Sequence, residues 1–303
     1  MTSRTVLVRL RGGLGNQLFG YAIGRAFALR YGAELVLDTV SDFEVDWRYA
    51  RTYALDPLRV VAREATASER MEPFGRWRRL WARRWARVKP WGARDYVVEA
   101  QRGWDPRIAA LPVHGRLTLD GYWQSYRYFE AIADAIRAEI DWQAAAHRGI
   151  WGDPRVAPVA PNVLEASVAV HVRWFDRVNV TSPENLSPDY YDHAIALMEE
   201  RAPGSRYVVF SDDIETTRRV LTALPADRSV FTRGETADPT GLADLMAMRR
   251  CRHAIIANST FSWWGAWLGG RQGQIVTAPA PKRFAPDSFW CVPSLLPPEW
   301  ILL

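Results

Sequence analysis

The segment from Arg252 to Leu268 constrains the fold more than any other part of the chain. Its first part, Ala254 to Ala257, has the short apolar run of a buried strand, and its last part has the tryptophan spacing of a helix. Between them lies a polar turn formed by Asn258, Ser259 and Thr260. Ligands of open α/β sheets bind beyond the carboxyl ends of the strands, where a helix N-terminus offers N–H groups to an anion. The turn is therefore placed to bind phosphate, although the same residue types also cap helices without any ligand.

An earlier run, Ala166 to Arg173, predicts a central parallel strand because it is apolar almost throughout. It ends in His171 and Arg173, and Asp176 follows after the strand. An arginine at the carboxyl end of a strand is suited to bind a diphosphate bidentately. An ion pair between Arg173 and Asp176 that holds a loop is the alternative interpretation.

The next apolar run, Arg206 to Asp213, also ends in acids. Asp212 and Asp213 lack the spacing and the further ligands of a metal site, and helix capping explains Asp213 equally well. The two cysteines, Cys251 and Cys291, show no metal-ligand spacing and cannot form a disulfide framework. We therefore expect no metal at these residues, and a reducing compartment.

The N-terminal part has the order of a β-α-β unit. The first strand is Thr5–Leu10, and a glycine-rich loop, Arg11–Gln17, follows it. A helix at about 16–31 then leads to the second strand, Glu34–Asp38. Glycines such as Gly15 let the loop turn sharply and approach a ligand, while Asn16 and Gln17 place amides at the start of the helix. An NAD-dependent oxidoreductase would use the same unit, but Leu18 replaces the third glycine of the dinucleotide fingerprint.

A second candidate ligand loop follows the apolar stretch that begins at Leu117. The stretch ends in Gly121-Tyr-Trp-Gln-Ser, where the ring of Trp123 and the amide of Gln124 suit a sugar, although such residues also pack domain boundaries. Glycines and prolines between Asp141 and Asn162 indicate a linker. A chain of 303 residues then divides into a first domain at 1–150, a second domain at 161–290 and a tail at 291–303.

One segment makes the chain basic. The stretch from Arg76 to Arg94 carries eight positive charges and no acid, which leaves −3 for the rest of a chain whose net charge is +5. In a predicted helix at about 74–90, Trp77, Trp81 and Trp85 recur at helical spacing and form an apolar stripe. We expect the stripe to dock on its own domain, with contact to an anionic membrane as the second interpretation and nucleic acid as the least supported one.

Composition and local pattern also bear on location. The chain is 48% hydrophobic and 24% charged, which excludes a disordered or fibrous class. The N-terminus enters a strand directly, so we expect no signal peptide, and no apolar run approaches the length of a membrane span. We expect a cytoplasmic protein, peripheral at the inner face of the membrane if its basic segment binds lipid.

Five motifs occur in order along the chain. They are Gly12-Gly-Leu-Gly-Asn-Gln17, Gly121-Tyr-Trp-Gln-Ser125, His171-Val-Arg173, Phe210-Ser-Asp-Asp213 and Asn258-Ser-Thr-Phe-Ser-Trp-Trp264. In order and spacing this set resembles the bacterial branch of the α-1,2-fucosyltransferase family, over most of the chain from near Arg9 to near Leu268. The resemblance implies two Rossmann-like α/β domains of GT-B-like architecture, with the acceptor bound mainly by the first domain and GDP-fucose mainly by the second.

The resemblance also implies an inverting reaction that needs no metal and no cofactor. L-Fucose would pass from GDP-β-L-fucose to the 2-hydroxyl of a terminal galactose, on an O-antigen precursor or a related β-galactoside. Arg173 matches the first arginine of the family pattern His-x-Arg-Arg-x-Asp, which binds the donor pyrophosphate, and His171 and Asp176 match its ends and are the candidate general bases. The other candidate donor-binding residues are Gly15, Asn16, Asp212, Asn258, Ser259, Thr260 and Ser262, and the candidate acceptor-binding residues are Gln17, Trp123 and Gln124.

One departure from the family pattern bears on the donor. Trp174 and Phe175 stand where the family has a second arginine and a glycine. The loss of one cation near the donor leaves open a related glycosyltransferase that uses a different nucleotide sugar. A non-catalytic carbohydrate-binding or membrane-binding protein would give no reason for Arg173, Asp212 and Ser259 all to follow strand ends.

Overall fold

A computed structural model describes residues 4–47, 49–58, 60–140, 159–232 and 241–303. The chain divides into two compact units. The first is Met1–Asp141 with Val292–Leu295, and the second is Trp142–Cys291 with Leu296–Leu303. The predicted linker between Asp141 and Asn162 lies largely outside the described residues.

A parallel sheet forms the centre of the first unit. Its strands within the described residues are β1 (Thr5–Arg9), β2 (Glu34–Asp38), β3 (Arg63–Glu64), β4 (Tyr96–Val98) and β5 (Arg116–Asp120). Their spatial order is β3-β2-β1-β5-β4. Because β1 lies between β2 and β5, the residues that end these three strands, Arg9, Asp38 and Asp120, meet at one edge of the sheet.

Helices connect these strands. In the described part of the first unit they are α1 (Leu14–Tyr31), α2 (Gly75–Val88), α3 (Pro106–Ala109) and α4 (Ala133–Glu139). The structure confirms the helix predicted from about Asn16 and starts it at Leu14. Gly32 ends α1 in the left-handed conformation (φ 57°) and donates its N–H to the carbonyl of Ala28, a geometry that glycine adopts without steric cost.

Helix α1 packs closely on the sheet at Gly24. A β-carbon at this position would lie 2.5 Å from Cγ2 of Val8 and 2.7 Å from Cδ1 of Leu35. We expect Gly24→Ala to lower the free energy of unfolding by about 1–3 kcal/mol, because the helix would have to move away from β1 and β2. Chemical denaturation measures the loss. Gly92→Ala is the matched control, since a β-carbon there meets no atom within 4 Å; equal unfolding midpoints for the two variants would contradict this packing.

The second unit has its own parallel sheet. Its strands within the described residues are β6 (Ser167–Val172), β7 (Arg206–Ser211), β8 (Ser229–Phe231), β9 (His253–Ile255), β10 (Val276–Ala278) and β11 (Ile301–Leu302). The spatial order is β11-β10-β9-β6-β7-β8. Every residue of β6 is buried, which confirms the central strand predicted from its continuous apolar run.

The helices of the second unit lie between these strands in sequence. Within the described residues they are α5 (Pro161–Leu164), α6 (Pro188–Arg201), α7 (Ile214–Val220), α8 (Leu242–Arg250) and α9 (Thr260–Gly269). Asp213 caps α7 as predicted, because its carboxylate accepts the N–H of Thr216 at 3.0 Å. Trp263, Trp264 and Trp267 of α9 are buried and pack on one another.

Two parallel sheets with intervening helices confirm the predicted α/β class with two Rossmann-like units. Within the described ranges, every helix is too short or too polar to cross a membrane.

The basic helix α2 docks on the first unit through the face opposite to the one predicted. Trp77, Trp81 and Trp85 are 58–66% exposed, so the prediction that their stripe docks on its own domain is wrong. The inward face instead carries Ala86, which is buried, and Arg83, which bonds to Asp120. A buried carboxylate therefore orients the helix, and the apolar stripe is left at the surface.

Candidate functional site

Three polar groups of the second unit converge at the carboxyl edge of its sheet. His171 is near the end of β6, Asp212 follows β7, and Asn258 follows β9. Since β6 lies between β7 and β9, the ends of these strands are neighbours. The ring of His171 lies 5.4 Å from that of Phe261 in the first turn of α9, which brings the end of β6 against the start of that helix.

Arg173 is held in place at this edge by a buried carboxylate. Its Nη1 lies 3.0 Å from Oδ2 of Asp212, whose side chain is only 3% exposed. The other oxygen of Asp212 accepts the N–H of Trp174 at 3.0 Å. Asp212 therefore orients Arg173 and the loop after β6, while the side chain of Arg173 remains about one-third exposed.

A second arginine reaches the same carboxylate. Nη2 of Arg177 lies 3.4 Å from Oδ2 of Asp212, and its side chain is 49% exposed. Sequence analysis did not single out Arg177, because it lies outside the His-x-Arg-Arg-x-Asp pattern. The sequence did contain a usable signal: because this chain lacks the second arginine of the pattern, the next cation after Phe175, which is Arg177, could have been considered as its replacement.

Trp174 turns away from this polar edge. It is 3% exposed and packs in the hydrophobic core of the second unit, and its indole N–H donates to Oγ1 of Thr217 at 2.9 Å. Phe175 is 40% exposed, with the guanidinium of Arg173 5.8 Å from its ring centre. The departure from the family pattern thus places one ring in the core and the other beside the candidate donor-binding arginine.

His171 is neutral throughout the physiological pH range. Burial and the positive charge of Arg173 lower its pKa to about 3. Its Nδ1 is buried and has no hydrogen-bond partner among the residues that the structure describes. A neutral imidazole with such a low pKa is suited to hydrogen bonding and is a weak proton acceptor.

Asp176 lies in the loop after β6. Its Oδ1 accepts the N–H groups of Val178 and Asn179, at 3.0 and 2.8 Å, which closes a turn of the loop. Asn185 reinforces the loop by accepting the N–H of Asp176 at 3.1 Å. The loop therefore has a defined shape that fixes the position of the carboxylate.

The polar turn before α9 has the predicted form of a helix start. Ser259 is the N-cap, and its hydroxyl accepts the N–H of Phe261 at 3.3 Å. Ser262 is fully buried and bonds to the carbonyls of Ala257 and Ser259, so it supports the turn from inside. Ser259 and Thr260 are partly exposed, and these two side chains of the turn can reach a ligand.

Asn258 is 4% exposed, and its Nδ2 donates to the carbonyl of Glu184 at 3.4 Å. Its Oδ1 is buried without a hydrogen-bond partner in the described part of the chain. A buried amide oxygen without a partner is costly, which favours a ligand or water partner at this position.

In the first unit, two predicted residues contact each other. Oδ1 of Asn16 accepts the amide N–H of Gln124 at 2.9 Å, which joins the glycine-rich loop to the loop after β5. Gly15 is buried in the first turn of α1. Gln17 is fully buried and bonds to the backbone of Gly12, Thr52 and Ala54, so it braces the loops from within.

The loop after β5 presents a different ring from the one predicted. Trp123 is completely buried with φ 58°, so in this conformation its ring cannot stack on a sugar. Tyr122 is 37% exposed, with the guanidinium of Arg11 5.5 Å from its ring centre. Glu99 shapes this loop by accepting the N–H groups of Tyr122 and Trp123. Burial raises the pKa of the Glu99 carboxyl, although these two hydrogen bonds act to lower it.

Sequence analysis also missed a charge cluster around Asp120, which is 1% exposed. Its carboxylate bonds to Arg9, Arg11 and Arg83 and accepts the hydroxyl of Tyr96 at 2.6 Å. Burial alone would raise the pKa of Asp120, but the arginines lower it to about 2. The sequence did contain a signal for this cluster, because the strands β1, β2 and β5 each end in a charged residue: Arg9, Asp38 and Asp120.

Among the described residues, no group of three or more His, Cys, Asp or Glu side chains is arranged to hold a metal ion.

Comparisons with known sequences find related transferases. The model of the family described as "Glycosyl transferase family 11" matches residues 76–302. Alpha-1,2-colitosyltransferase of Escherichia coli is 28% identical over 284 residues, which is 91% of each chain. Galactoside 2-alpha-L-fucosyltransferase Sec1 of Mus musculus is 31% identical over 170 residues, 55% of this chain and 45% of that protein.

Comparisons with solved structures agree on the fold. NodZ alpha-1,6-fucosyltransferase from Bradyrhizobium, soaked with GDP-fucose, has a TM-score of 0.51 at 15% identity over 88% of this chain and 92% of that one. A mutant of Arabidopsis thaliana FUT1 in complex with GDP has a TM-score of 0.53 at 13% identity over 94% of this chain and 72% of that one. The GT-B-like class predicted from the sequence is thereby confirmed.

Proposed function

Because the chain belongs to glycosyl transferase family 11 and is a glycosyltransferase, we propose that it transfers L-fucose from GDP-β-L-fucose to the 2-hydroxyl of a terminal galactose. The acceptor is a surface glycan precursor, such as an O-antigen repeat, or a related β-galactoside. The names of the mouse and Escherichia coli relatives, a galactoside 2-alpha-L-fucosyltransferase and an alpha-1,2-colitosyltransferase, support the 2-linkage.

One observation carries the proposal: Arg173 is held by Asp212 at the carboxyl edge of the second sheet, where the turn before α9 also lies. During transfer, the bond from C1 of fucose to the β-phosphate oxygen breaks and GDP gains negative charge. Arg173 and the N-terminus of α9, with the hydroxyls of Ser259 and Thr260, stabilise that charge. The arginine is oriented before the donor arrives, so little reorganisation is needed.

Arg177 supplies the second cation of this site. The family pattern would place it at position 174, where this chain has a tryptophan in the core. Arg177 lies three residues after position 174 and contacts the same carboxylate as Arg173, that of Asp212. The loop after β6 thus keeps two positive charges at the donor phosphates.

The variant Arg177→Ala tests this assignment. We expect KM for the donor to rise about tenfold with a smaller change in kcat, because one charge-assisted hydrogen bond to the ground-state diphosphate is lost. Steady-state kinetics at saturating acceptor measures it. Arg218→Ala is the matched control, since Arg218 is an exposed arginine of the same unit that packs on Phe231. Unchanged donor KM in Arg177→Ala would remove Arg177 from the site.

The acceptor hydroxyl must lose its proton as its oxygen attacks C1 from the side opposite to the phosphate. Asp176 is the better of the two candidate bases, because the pKa of His171 is about 3 and its ring is a weak acceptor. Oδ2 of Asp176 takes no part in the turn that Oδ1 closes. His171 then contributes a hydrogen bond to the donor, together with Asn258.

The unit-1 loops serve the acceptor in this proposal. Asn16, which the family resemblance assigns to donor binding, bonds to Gln124 and so links the two loops. Tyr122 offers the exposed ring, and Trp123, Gln124 and Gln17 hold the two loops in shape.

A second donor has specific support. The Escherichia coli relative that covers 91% of the chain is named a colitosyltransferase, and colitose is the 3-deoxy analogue of fucose. Phe175 beside Arg173 adds apolar surface at the site, which suits a sugar that lacks one hydroxyl. GDP-colitose is therefore the alternative donor. The oxidoreductase alternative lacks support in the family assignment.

The deciding experiment measures acceptor-dependent GDP release from a panel of nucleotide sugars, with β-galactosides as acceptors and with or without EDTA. We expect release from GDP-fucose that survives EDTA. Faster turnover of GDP-colitose than of GDP-fucose would show that GDP-colitose is the donor. Turnover of a UDP-sugar alone, or NAD binding without any transfer, would contradict the proposal.

A further inference from the structure

The outward face of α2 is an unusual surface for a folded domain. It carries a continuous row of large apolar side chains, each 48–76% exposed: Phe74, Trp77, Leu80, Trp81, Trp85 and Val88. Large contiguous apolar patches are rare on the surface of folded domains, and where they occur they usually mark interaction sites. From Trp77 to Val88 the row follows the 3–4 residue spacing of one helical face, so these side chains point to the same side, while Phe74 is the N-cap of the helix.

The opposite face fixes this orientation. Arg83 bonds to Asp120 and lies against Tyr96, and Arg79 donates to Oγ of Ser41 at 3.0 Å. Ala86, the buried residue of the helix, lies on the same side. Rotating the helix to bury its tryptophans would break the bond between Arg83 and Asp120, so the apolar row stays outward.

Positive charge surrounds the row. Four exposed arginines of the helix, Arg76, Arg78, Arg84 and Arg87, flank the tryptophans on both sides, and the helix contains no acid. Such a surface repels another copy of itself and any basic partner. It is complementary to the surface of an acidic lipid bilayer, where anionic headgroups cover an apolar interior.

A cavity of about 350 Å³ opens beside the C-terminal end of the helix. It is lined by Trp85 together with the cations Lys89, Arg94 and Arg116, against one acid, Asp95. Its volume and its excess of positive charge suit the phosphate and glycerol of one lipid headgroup. Trp85 belongs both to the exposed row and to the cavity wall, so the two features form one continuous surface.

We propose that α2 lies in the interface of an anionic phospholipid bilayer, with its tryptophans at the level of the headgroups and one headgroup phosphate in the adjacent cavity. Tryptophan is favoured at that depth, where its ring is apolar and its N–H remains hydrated. The arginines add an attraction that salt screens. This surface lies in the first unit, which would present the enzyme to an acceptor anchored in the same membrane.

Co-sedimentation with vesicles at low salt tests the proposal on the full chain. We expect binding to mixed phosphatidylcholine–phosphatidylglycerol vesicles, little binding to phosphatidylcholine alone, and release by added salt. The triple variant Trp77→Ser, Trp81→Ser, Trp85→Ser should bind at least about tenfold more weakly. Trp47→Ser is the matched control, because Trp47 is a 90% exposed tryptophan of the same unit outside the row. The double variant Lys89→Gln, Arg94→Gln should bind anionic vesicles more weakly than the wild type but keep the part of the preference that the arginines of the helix provide.

Transfer to a soluble β-galactoside should be unchanged in all these variants, which separates this inference from the proposed function. Two results would overturn it: no binding of the wild type to anionic vesicles, or equal binding of the triple variant and the wild type. A shift of the triple variant from dimer to monomer in gel filtration would assign the row to a second copy instead.

Discussion

Replacing Arg173 with alanine is expected to lower kcat about 100- to 1,000-fold, the range observed when an enzyme loses one pre-oriented group that stabilises developing negative charge. The magnitude follows from the geometry, because Arg173 is fixed by Asp212, whose side chain is 3% exposed. The interaction strengthens as the fucosyl–phosphate bond breaks, so kcat should fall more than donor affinity. Initial rates of GDP release at saturating donor and acceptor measure the effect.

Two variants control for charge and for general damage. Arg173→Lys keeps the charge but loses the fork that contacts two oxygens at once, so we expect it to recover only part of the activity. Arg228→Ala removes an ion pair of similar geometry with Glu199, 2.8 Å long, just before the amino end of β8. Full activity of Arg173→Ala, or equal losses in both alanine variants, would show that Arg173 does not act on the reaction.

Replacing Asp120 with alanine is expected to lower the free energy of unfolding by about 3–5 kcal/mol, because it removes the one carboxylate shared by three arginines. Arg9 is 4% exposed and would keep Asp38 and Asp42 as partners, but Arg83 would lose its inward anchor. Denaturant unfolding at neutral pH measures the loss.

Asp95→Ala is the matched control for the Asp120 variant. Asp95 pairs with Lys89 at 2.6 Å, but both side chains are well exposed, so we expect a loss of no more than about 1 kcal/mol. The contrast tests burial, since both substitutions remove an aspartate from a close ion pair. Similar losses in the two variants would mean that the Asp120 cluster stabilises the domain no more than a surface ion pair.

The same cluster predicts a pH dependence. The pKa of Asp120 falls from its ordinary value of 3.8 to about 2 in the folded protein, so the unfolded chain binds this proton more readily. The resulting stability is fully present above about pH 4 and is lost as the pH falls towards 2. The free energy of unfolding should therefore fall more steeply in the wild type than in Asp120→Ala over that interval. Parallel curves would contradict the lowered pKa.

The strands of the central sheets were predictable because their signal is local. A strand covered on both faces is apolar along most of its length, and β6, which is buried at every one of its six residues, shows this. The positions of His171, Arg173, Asp212 and Asn258 followed, because the carboxyl ends of adjacent parallel strands share one edge.

The conformations of individual side chains were not predictable, because they depend on partners distant in sequence. Gln17 bonds to the backbone of residues 52 and 54, and Glu99 holds the loop that contains Trp123. Helical periodicity identified the two faces of α2, but it could not show which face would be buried. That choice depends on Asp120, 37 residues after Arg83.

The most direct test of the central claim is the structure of the product. We would incubate the protein with GDP-β-L-fucose and a β-galactoside and determine the anomeric configuration and the linkage of the product by NMR. The account predicts an α-linked fucose on the 2-hydroxyl of galactose, formed with inversion. A β-linked fucoside, a linkage to another hydroxyl, or the absence of any fucosylated product would contradict it.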